Sequence, residues 1–382
     1  MILGIDASNI RSGGGLTHLK EILNNCEEST SKFDKVIVWS STRVLNELPS
    51  PNWIDKRTHR LLNKSFLWTF FYQFFYLSSF SSNTSDVDLM FVPGGTFLGV
   101  FPNVVTMSQN MLPFERKELR RYRSHLQRLK FIVLRQTQSY TFKKSNGVIF
   151  LTKYAQKVVT SQIKLISERQ TIIPHGISLQ FSCEPKTQKS LIEYNDVNPF
   201  RLLYVSNVAP YKHQWNVASA VIQLRSEGFP ITLDLVGSPN KESIALLENV
   251  LGGGFDDSSI GVNYLGEVQY CNLPPLYRNA DGFIFASTCE NLPIILLEAM
   301  TSGLPIISSN YGPMPEVLGT AGFYFDPCNV EDIRLSLKKF LESPKERSEK
   351  SNISYNSAIN YHWKDCANKT FKFLLKIGED EK

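Results

Sequence analysis

The chain is predicted to be α/β, with two Rossmann-like doubly wound domains facing a central cleft. Two observations carry this. Short runs rich in Val, Ile and Leu alternate with helical-looking stretches from end to end, the pattern of parallel sheets flanked by helices. These runs also fall into two series separated by a polar stretch, in a chain of 382 residues that exceeds one typical domain.

In the first series the expected strands are Ile2 to Ile5, Val36 to Trp39, Leu89 to Val92, Val104 to Met107 and Gly147 to Leu151. In the second they are Leu202 to Ser206, Ile231 to Val236, Asn263 to Leu265, Gly282 to Ala286, Pro305 to Ser308 and Gly322 to Phe325. Between them, Ser182 to Lys189 is polar and shows no strand pattern, so residues 181–199 are expected to be a linker. The expected domains are then 1–180 and 200–360. A final helical segment, 361–382, is free to cross back to the first domain. Ligands of open parallel sheets bind at loops beyond the carboxyl ends of the strands, so two facing sheets would place the chemistry between them.

Composition narrows the class. At 42% hydrophobic and 20% charged residues the chain can bury a core, which excludes disorder. The six cysteines stand singly, without metal-ligand spacing, and read as reduced thiols of a cytoplasmic protein. The amino terminus lacks the basic and apolar regions of a signal peptide. The most apolar run, Phe66 to Leu77, is interrupted by Gln73 and is too short to span a bilayer as a helix.

The sharpest motif is Glu290-Asn291-Leu292-Pro293-Ile294-Ile295-Leu296-Leu297-Glu298, directly after the apolar run Gly282 to Ala286. Pro293 suits the first turn of a helix, where its missing N–H is not needed. The N–H groups of Leu292, Ile294 and Ile295 would then point out of the helix start, toward an anion. Both carboxylates could face one cleft, and hydroxyl groups of a sugar or ribose are their natural partners. As isolated acids, Glu290 and Glu298 would read as ordinary solvated residues.

The residues around them change that reading. After Glu298 come Ala299-Met300, Gly303-Leu304-Pro305 and Pro315-Glu316; upstream lie Leu203 to Lys212, Leu235-Val236-Gly237, Leu276 to Asp281 and Pro174-His175-Gly176. This set closely resembles the nucleotide-sugar signature of retaining glycosyltransferases of the GT-B fold, family 4 (glycosyl transferases group 1), strongly from about Gly147 to Asp326. The resemblance implies that Lys212 neutralises the donor diphosphate, whose charge grows as the nucleotide departs. It implies that Glu298 takes hydrogen bonds from the nucleotide ribose and that Glu290 lies nearer the donor sugar. Gly13-Gly14-Gly15, followed by His18, resembles the amino-terminal glycine loop of the family, where backbone approaches the diphosphate or sugar. The donor-binding set is therefore Gly14, Gly15, Asn207, Lys212, Glu290, Asn291, Leu292, Ile294 and Glu298, with Glu290, Lys212 and His18 the catalytic candidates.

Two departures qualify the match. Asn207 stands where the family usually has an arginine, so one diphosphate cation is missing. Ser108-Gln109-Asn110 replaces the His-Asp or His-Glu pair of many relatives, so no catalytic histidine carries over there. The resemblance implies front-face displacement assisted by the leaving phosphate, with no protein nucleophile named. Asp86-Val87-Asp88 has an Asp-x-Asp form but runs into the apolar stretch Leu89 to Val92, and reads as a strand entrance without metal. His175 fits an acid-base group and a turn residue equally well. No cofactor and no metal are expected; the donor is a UDP- or GDP-sugar.

Between Glu115 and Lys144 the chain carries ten Lys/Arg and two Glu, a net +8 against +5 for the whole, so the remainder is slightly acidic. Within this window Leu119, Tyr122, Leu126, Leu129 and Val133 recur at helical spacing, predicting an amphipathic basic helix. Nine aromatics in Phe66 to Phe80 form a second unusual run, which reads either as its companion or as a buried helix. A localised cationic segment argues against general nucleic-acid affinity. With the family's habits, it implies a lipid-linked glycan acceptor at the anionic inner face of a membrane, in cell-surface polysaccharide (O-antigen or capsule) assembly, the protein being cytoplasmic and peripheral. The alternatives are a nucleotide-sugar epimerase of the same fold, or a non-catalytic membrane- or nucleic-acid-binding module on that scaffold.

Overall fold

A computed structural model of the protein describes residues 1–26, 33–64, 66–253 and 260–380. The chain divides into two compact units, Met1–Gly176 with Tyr361–Lys382, and Ile177–Asn360.

The first unit contains strands β1 (Ile2–Asp6), β2 (Lys35–Trp39), β3 (Ile54–Arg57), β4 (Leu89–Val92), β5 (Val104–Met107), β6 (Gly147–Phe150) and β7 (Gln170–Ile172). Its helices are α1 (Gly14–Asn24), α2 (Thr42–Glu47), α3 (Phe66–Tyr76), α4 (Arg116–Leu119), α5 (His125–Lys144) and α6 (Lys153–Thr160). The strands form one parallel sheet in the order β3-β2-β1-β4-β5-β6-β7. Central strands covered on both faces have no side to offer water, which is why β4 and β6 are buried throughout. The two strands not expected from sequence, β3 and β7, are the edges of the sheet and carry polar residues, as edge strands do.

The second unit contains β8 (Phe200–Val205), β9 (Ile231–Val236), β10 (Val262–Gly266), β11 (Gly282–Phe285), β12 (Ile306–Ser309) and β13 (Gly322–Phe325), parallel in the order β10-β9-β8-β11-β12-β13. Around them run α7 (Gln214–Ser226), α8 (Lys241–Val250), α9 (Leu273–Asn279), α10 (Ile294–Thr301), α11 (Met314–Leu318), α12 (Val330–Glu342) and α13 (Pro344–Ala358). Strand order reverses between β1 and β4 in one sheet and between β8 and β11 in the other. Loops leaving such neighbours diverge to opposite faces and open a crevice at the strand ends.

Residues 181–199 are not a free linker. Cys183 donates its N–H to the Thr301 carbonyl (3.1 Å), and Ser302 Oγ donates to the Phe181 carbonyl (2.9 Å). The wholly buried Arg347 reaches Gln188 Oε1 (3.2 Å) and the Lys189 carbonyl (2.6 Å). Polar composition here reflects backbone held by side chains rather than by a sheet. The last helix, α14 (Trp363–Asp380), packs on α1 and β4 of the first unit. Phe373 lies so close to Gly147 that a Cβ there would stand 2.9 Å from its ring. Phe371, Leu374 and Ile377 on its inner face are buried, each contributing roughly 1.5–3 kcal/mol.

The basic window is not one amphipathic helix. It forms α4 and α5, separated by residues 120–124, and Ser124 caps α5 by accepting from the Gln127 N–H. Tyr122 is buried, while Leu126, Leu129 and Val133 are exposed. Arg128 is spent on the break itself, donating to the carbonyls of Tyr122 (2.6 Å) and Arg120 (3.2 Å).

Candidate functional site

The crevice of the second unit is built by the segments following β8 and β11. Tyr204, near the end of β8, is wholly buried and joins them: its hydroxyl donates to the Lys212 carbonyl and accepts the Ala286 N–H (3.3 Å). Thr288 donates its N–H to the Tyr211 carbonyl (2.9 Å), and His213 Nε2 lies 3.3 Å from Thr288 Oγ1. His213 has φ +51°, a left-handed conformation that is uncommon for a residue with a side chain and sharpens the turn into α7. Gln214 donates to the carbonyl of Asn207, whose side chain is exposed.

These bonds deliver Lys212 to Glu290. The ammonium donates to Oε1 of the carboxylate and lies 4.9 Å from the centre of the Phe285 ring and 5.2 Å from that of Tyr211. The side chains are only 6% and 14% exposed. Removing two charges from water costs about what their attraction returns, so such a pair is a poor way to stabilise a fold. It is a good way to keep a cation fixed for an anionic ligand.

Glu290 leads into α10. Ser309 Oγ donates to the Ser287 carbonyl (2.6 Å), bracing the loop; Asn291 and Leu292 are buried and Ile294 is half-buried. Pro293 is the residue before the helix, one position earlier than a first-turn proline. The opening N–H groups of α10 have no carbonyl one turn behind them, which leaves donors at the crevice.

Glu298 is turned differently from Glu290. It is buried, accepts a hydrogen bond from Tyr277 Oη (2.9 Å), and is also hydrogen-bonded by Tyr270. Burial pushes its carboxyl up to about 7, against the opposing effect of both tyrosines. The two glutamates therefore have separate partners instead of one shared open face. Tyr204 and Tyr277 lie within the quoted signature segments, but their roles escaped sequence reading, because Ala286 and Glu298, which they meet, are brought to them by the fold.

In the first unit the equivalent crevice holds Gly14 and Gly15 at the start of α1. Gly13 precedes them with φ +69°, a turn that favours glycine, and the movable end of the Gln109 side chain would stand 2.8 Å from a Cβ on Gly15. An open cavity of about 1250 Å³ is lined here by Asn9, Gly15, Thr96, Gln109 and Asn110. Gln109 and Asn110 thus occupy the place beside the glycine loop, where relatives with the His-Asp or His-Glu pair were expected to differ.

His18 does not face that cavity as an available acid or base. It is wholly buried, with Nδ1 2.9 Å from His175 Nδ1 and the Trp363 ring tilted against both imidazoles. One ring must donate and the other accept, so the two cannot both be imidazolium. Burial, with His175 as a neighbour, lowers His18 well below the ordinary range, and burial takes His175 down to about 3. The helix places position 18 on the same inward face as Leu19 and Ile22, a periodicity that outweighs its nearness to the glycine loop. Asp88 Oδ2 accepts the Ile2 N–H (2.7 Å), the strand-entrance role expected for it.

Two doubly wound parallel sheets, with a cation and paired acids at the second switch point, define the GT-B glycosyltransferase class of fold. Residues 188–357, most of the second unit, match the family described as glycosyl transferases group 1. Among curated proteins, O-antigen chain mannosyltransferase B of Escherichia coli is 27% identical over 232 residues, covering 60% of this chain and 57% of that one. The chain spans between 22% and 57% of the length of three curated relatives that it matches. Among solved structures, sucrose-phosphate synthase of Thermosynechococcus elongatus aligns over 100% of both chains with TM-score 0.75 and 13% identity. Anabaena Alr3699/HepE in complex with UDP aligns over 98% of this chain and 99% of its own, with TM-score 0.67 and 16% identity.

Proposed function

We propose that the protein is a retaining glycosyltransferase that moves a hexose from a nucleotide diphosphate donor to a lipid-linked glycan in cell-surface polysaccharide assembly. The observation that carries this reading is the nearly buried Lys212–Glu290 pair at the second switch point. In this reading Lys212 exchanges Glu290 for the donor diphosphate and stabilises the charge gathering on it as the sugar leaves. The opening N–H groups of α10 add to that field. Glu290, released from the lysine, hydrogen-bonds the donor sugar. Glu298, held by Tyr277 and Tyr270, takes the ribose.

The bond between the anomeric carbon and the phosphate oxygen breaks while the acceptor hydroxyl bonds to the same face. Its proton passes to the departing phosphate, so no protein nucleophile is required. Support for a nucleotide donor comes from a similar fold seen with UDP, and support for a glycan acceptor from the O-antigen mannosyltransferase relative. Mannose is accordingly the first sugar to test. The protein would work at the inner face of the membrane, where such acceptors are assembled.

The test is a panel of UDP- and GDP-sugars, with the product's anomeric configuration read by NMR. Transfer with retention supports the proposal; inversion, or nucleotide-sugar turnover that yields only an isomer of the donor, overturns it.

A further inference from the structure

The outer face of α3 is unusual for a helix of a water-soluble domain. Its inner face packs Tyr72 into the core and is pinned by a polar residue. Gln73 Nε2 donates to Asp6 Oδ2 (2.7 Å), Ser8 Oγ (3.2 Å) and the Thr96 carbonyl (3.0 Å), and Gln73 Oε1 accepts the Leu98 N–H (3.1 Å). Its outer face carries Trp68, Phe71, Phe74 and Phe75, and Phe80 follows, all between 43% and 63% exposed. Their rings form one continuous patch, with centroid separations from 5.1 to 6.4 Å along Trp68, Phe71, Phe75, Phe74 and Phe80. Scattered exposed aromatics need no explanation, but a contiguous set on a rigid helix does.

The surrounding charge has one sign. No Asp or Glu occurs between Lys56 and Ser85. Arg60 and Lys64 are exposed, and Lys64 lies 4.9 Å from the Trp68 ring. The opposite side chain of the same helix, Phe70, lines the cavity beside the glycine loop with Leu126, Leu129 and Val133 of α5, together with Lys64 and Lys130. Thus two helices bordering one cavity present exposed apolar side chains beside cations.

We propose that the outer face of α3, together with the first turns of α5, is a docking surface that inserts into the interface of an anionic lipid bilayer. Aromatic rings favour the headgroup boundary, and lysines and arginines beside them meet anionic headgroups. The inference deepens the peripheral location proposed above, and it requires neither the donor nor the reaction.

The full chain is sedimented with phosphatidylcholine vesicles with and without phosphatidylglycerol, in the absence of nucleotide sugar, and donor turnover is measured separately without vesicles. The wild type is expected to bind the anionic vesicles only. The Phe71→Ser/Phe75→Ser variant should lose about tenfold or more in binding and Arg60→Ser about fivefold. Their thermal melts and donor turnover should match the wild type. Wild-type protein that stays in the supernatant with anionic vesicles, a Phe71→Ser/Phe75→Ser variant that binds as tightly as wild type, or a lipid-free dimer dissolved by that same variant would each overturn the proposal. Bound vesicles with no sugar turnover would retain it while removing the enzymatic reading.

Discussion

The Lys212 ammonium donates to the Glu290 carboxylate across 78 residues of sequence, joining the segments that follow two neighbouring strands. Nothing in either residue's immediate surroundings requires the other, so the pairing is a property of the strand order. If it serves the donor, Lys212→Ala should lower kcat/KM on the order of 10²–10³-fold. Glu290→Gln should also lower it, with folding intact by circular dichroism. Wild-type kinetics in both variants would remove the pair from the mechanism.

Tyr204 sets the position of that lysine through the lysine's main-chain carbonyl. In Tyr204→Phe the Lys212 carbonyl and the Ala286 N–H lose a shared buried partner, which costs about 1–3 kcal/mol in urea unfolding. Nucleotide affinity should fall with it, measured by calorimetry on the folded variant. Loss of stability with unchanged affinity would limit Tyr204 to structure.

Glu298 gives the second unit a pH dependence of known sign. Its folded carboxyl lies at about 7 against an ordinary 4.5, so between those values the native state holds more protons than the unfolded chain. Stability should therefore be fully present below about 4.5, fall with a slope of up to about 1.4 kcal/mol per pH unit, and level off above about 7. Glu298→Gln should flatten this component relative to wild type in unfolding titrations. Parallel curves for the two proteins would contradict the buried environment described.

His18→Asn tests packing against catalysis. The expected result is a lower melting temperature with kcat per folded molecule within about twofold of wild type, since the neutral buried pair has no proton to give near neutrality. A large fall in kcat without a change in melting would restore the catalytic role.

The interior strands were legible in the sequence because burial on both faces leaves continuous apolar runs. Ile54-Asp55-Lys56-Arg57 and Gln170-Thr171-Ile172 were not, because an edge strand is half-solvated and looks like loop. The stretch 181–199 read as linker because its backbone is satisfied in part by Thr301, Ser302 and Arg347, none of which a local pattern can announce. In the site, Lys212 and Glu290 were readable from their motifs. Tyr204, Tyr277 and the inward turn of His18 depend on partners supplied by the fold.

The second unit is inserted between two pieces of the first. During synthesis from the amino terminus, the segment 177–360 has emerged in full before α14 appears, so the second core can close while the first still lacks the helix that covers β4 and seats Trp363 against the histidine pair. A released chain truncated after Asn360 should therefore present a protease-resistant carboxyl-terminal unit attached to a labile amino-terminal one. The order of completion along the ribosome is the reverse of the order in which the two units begin.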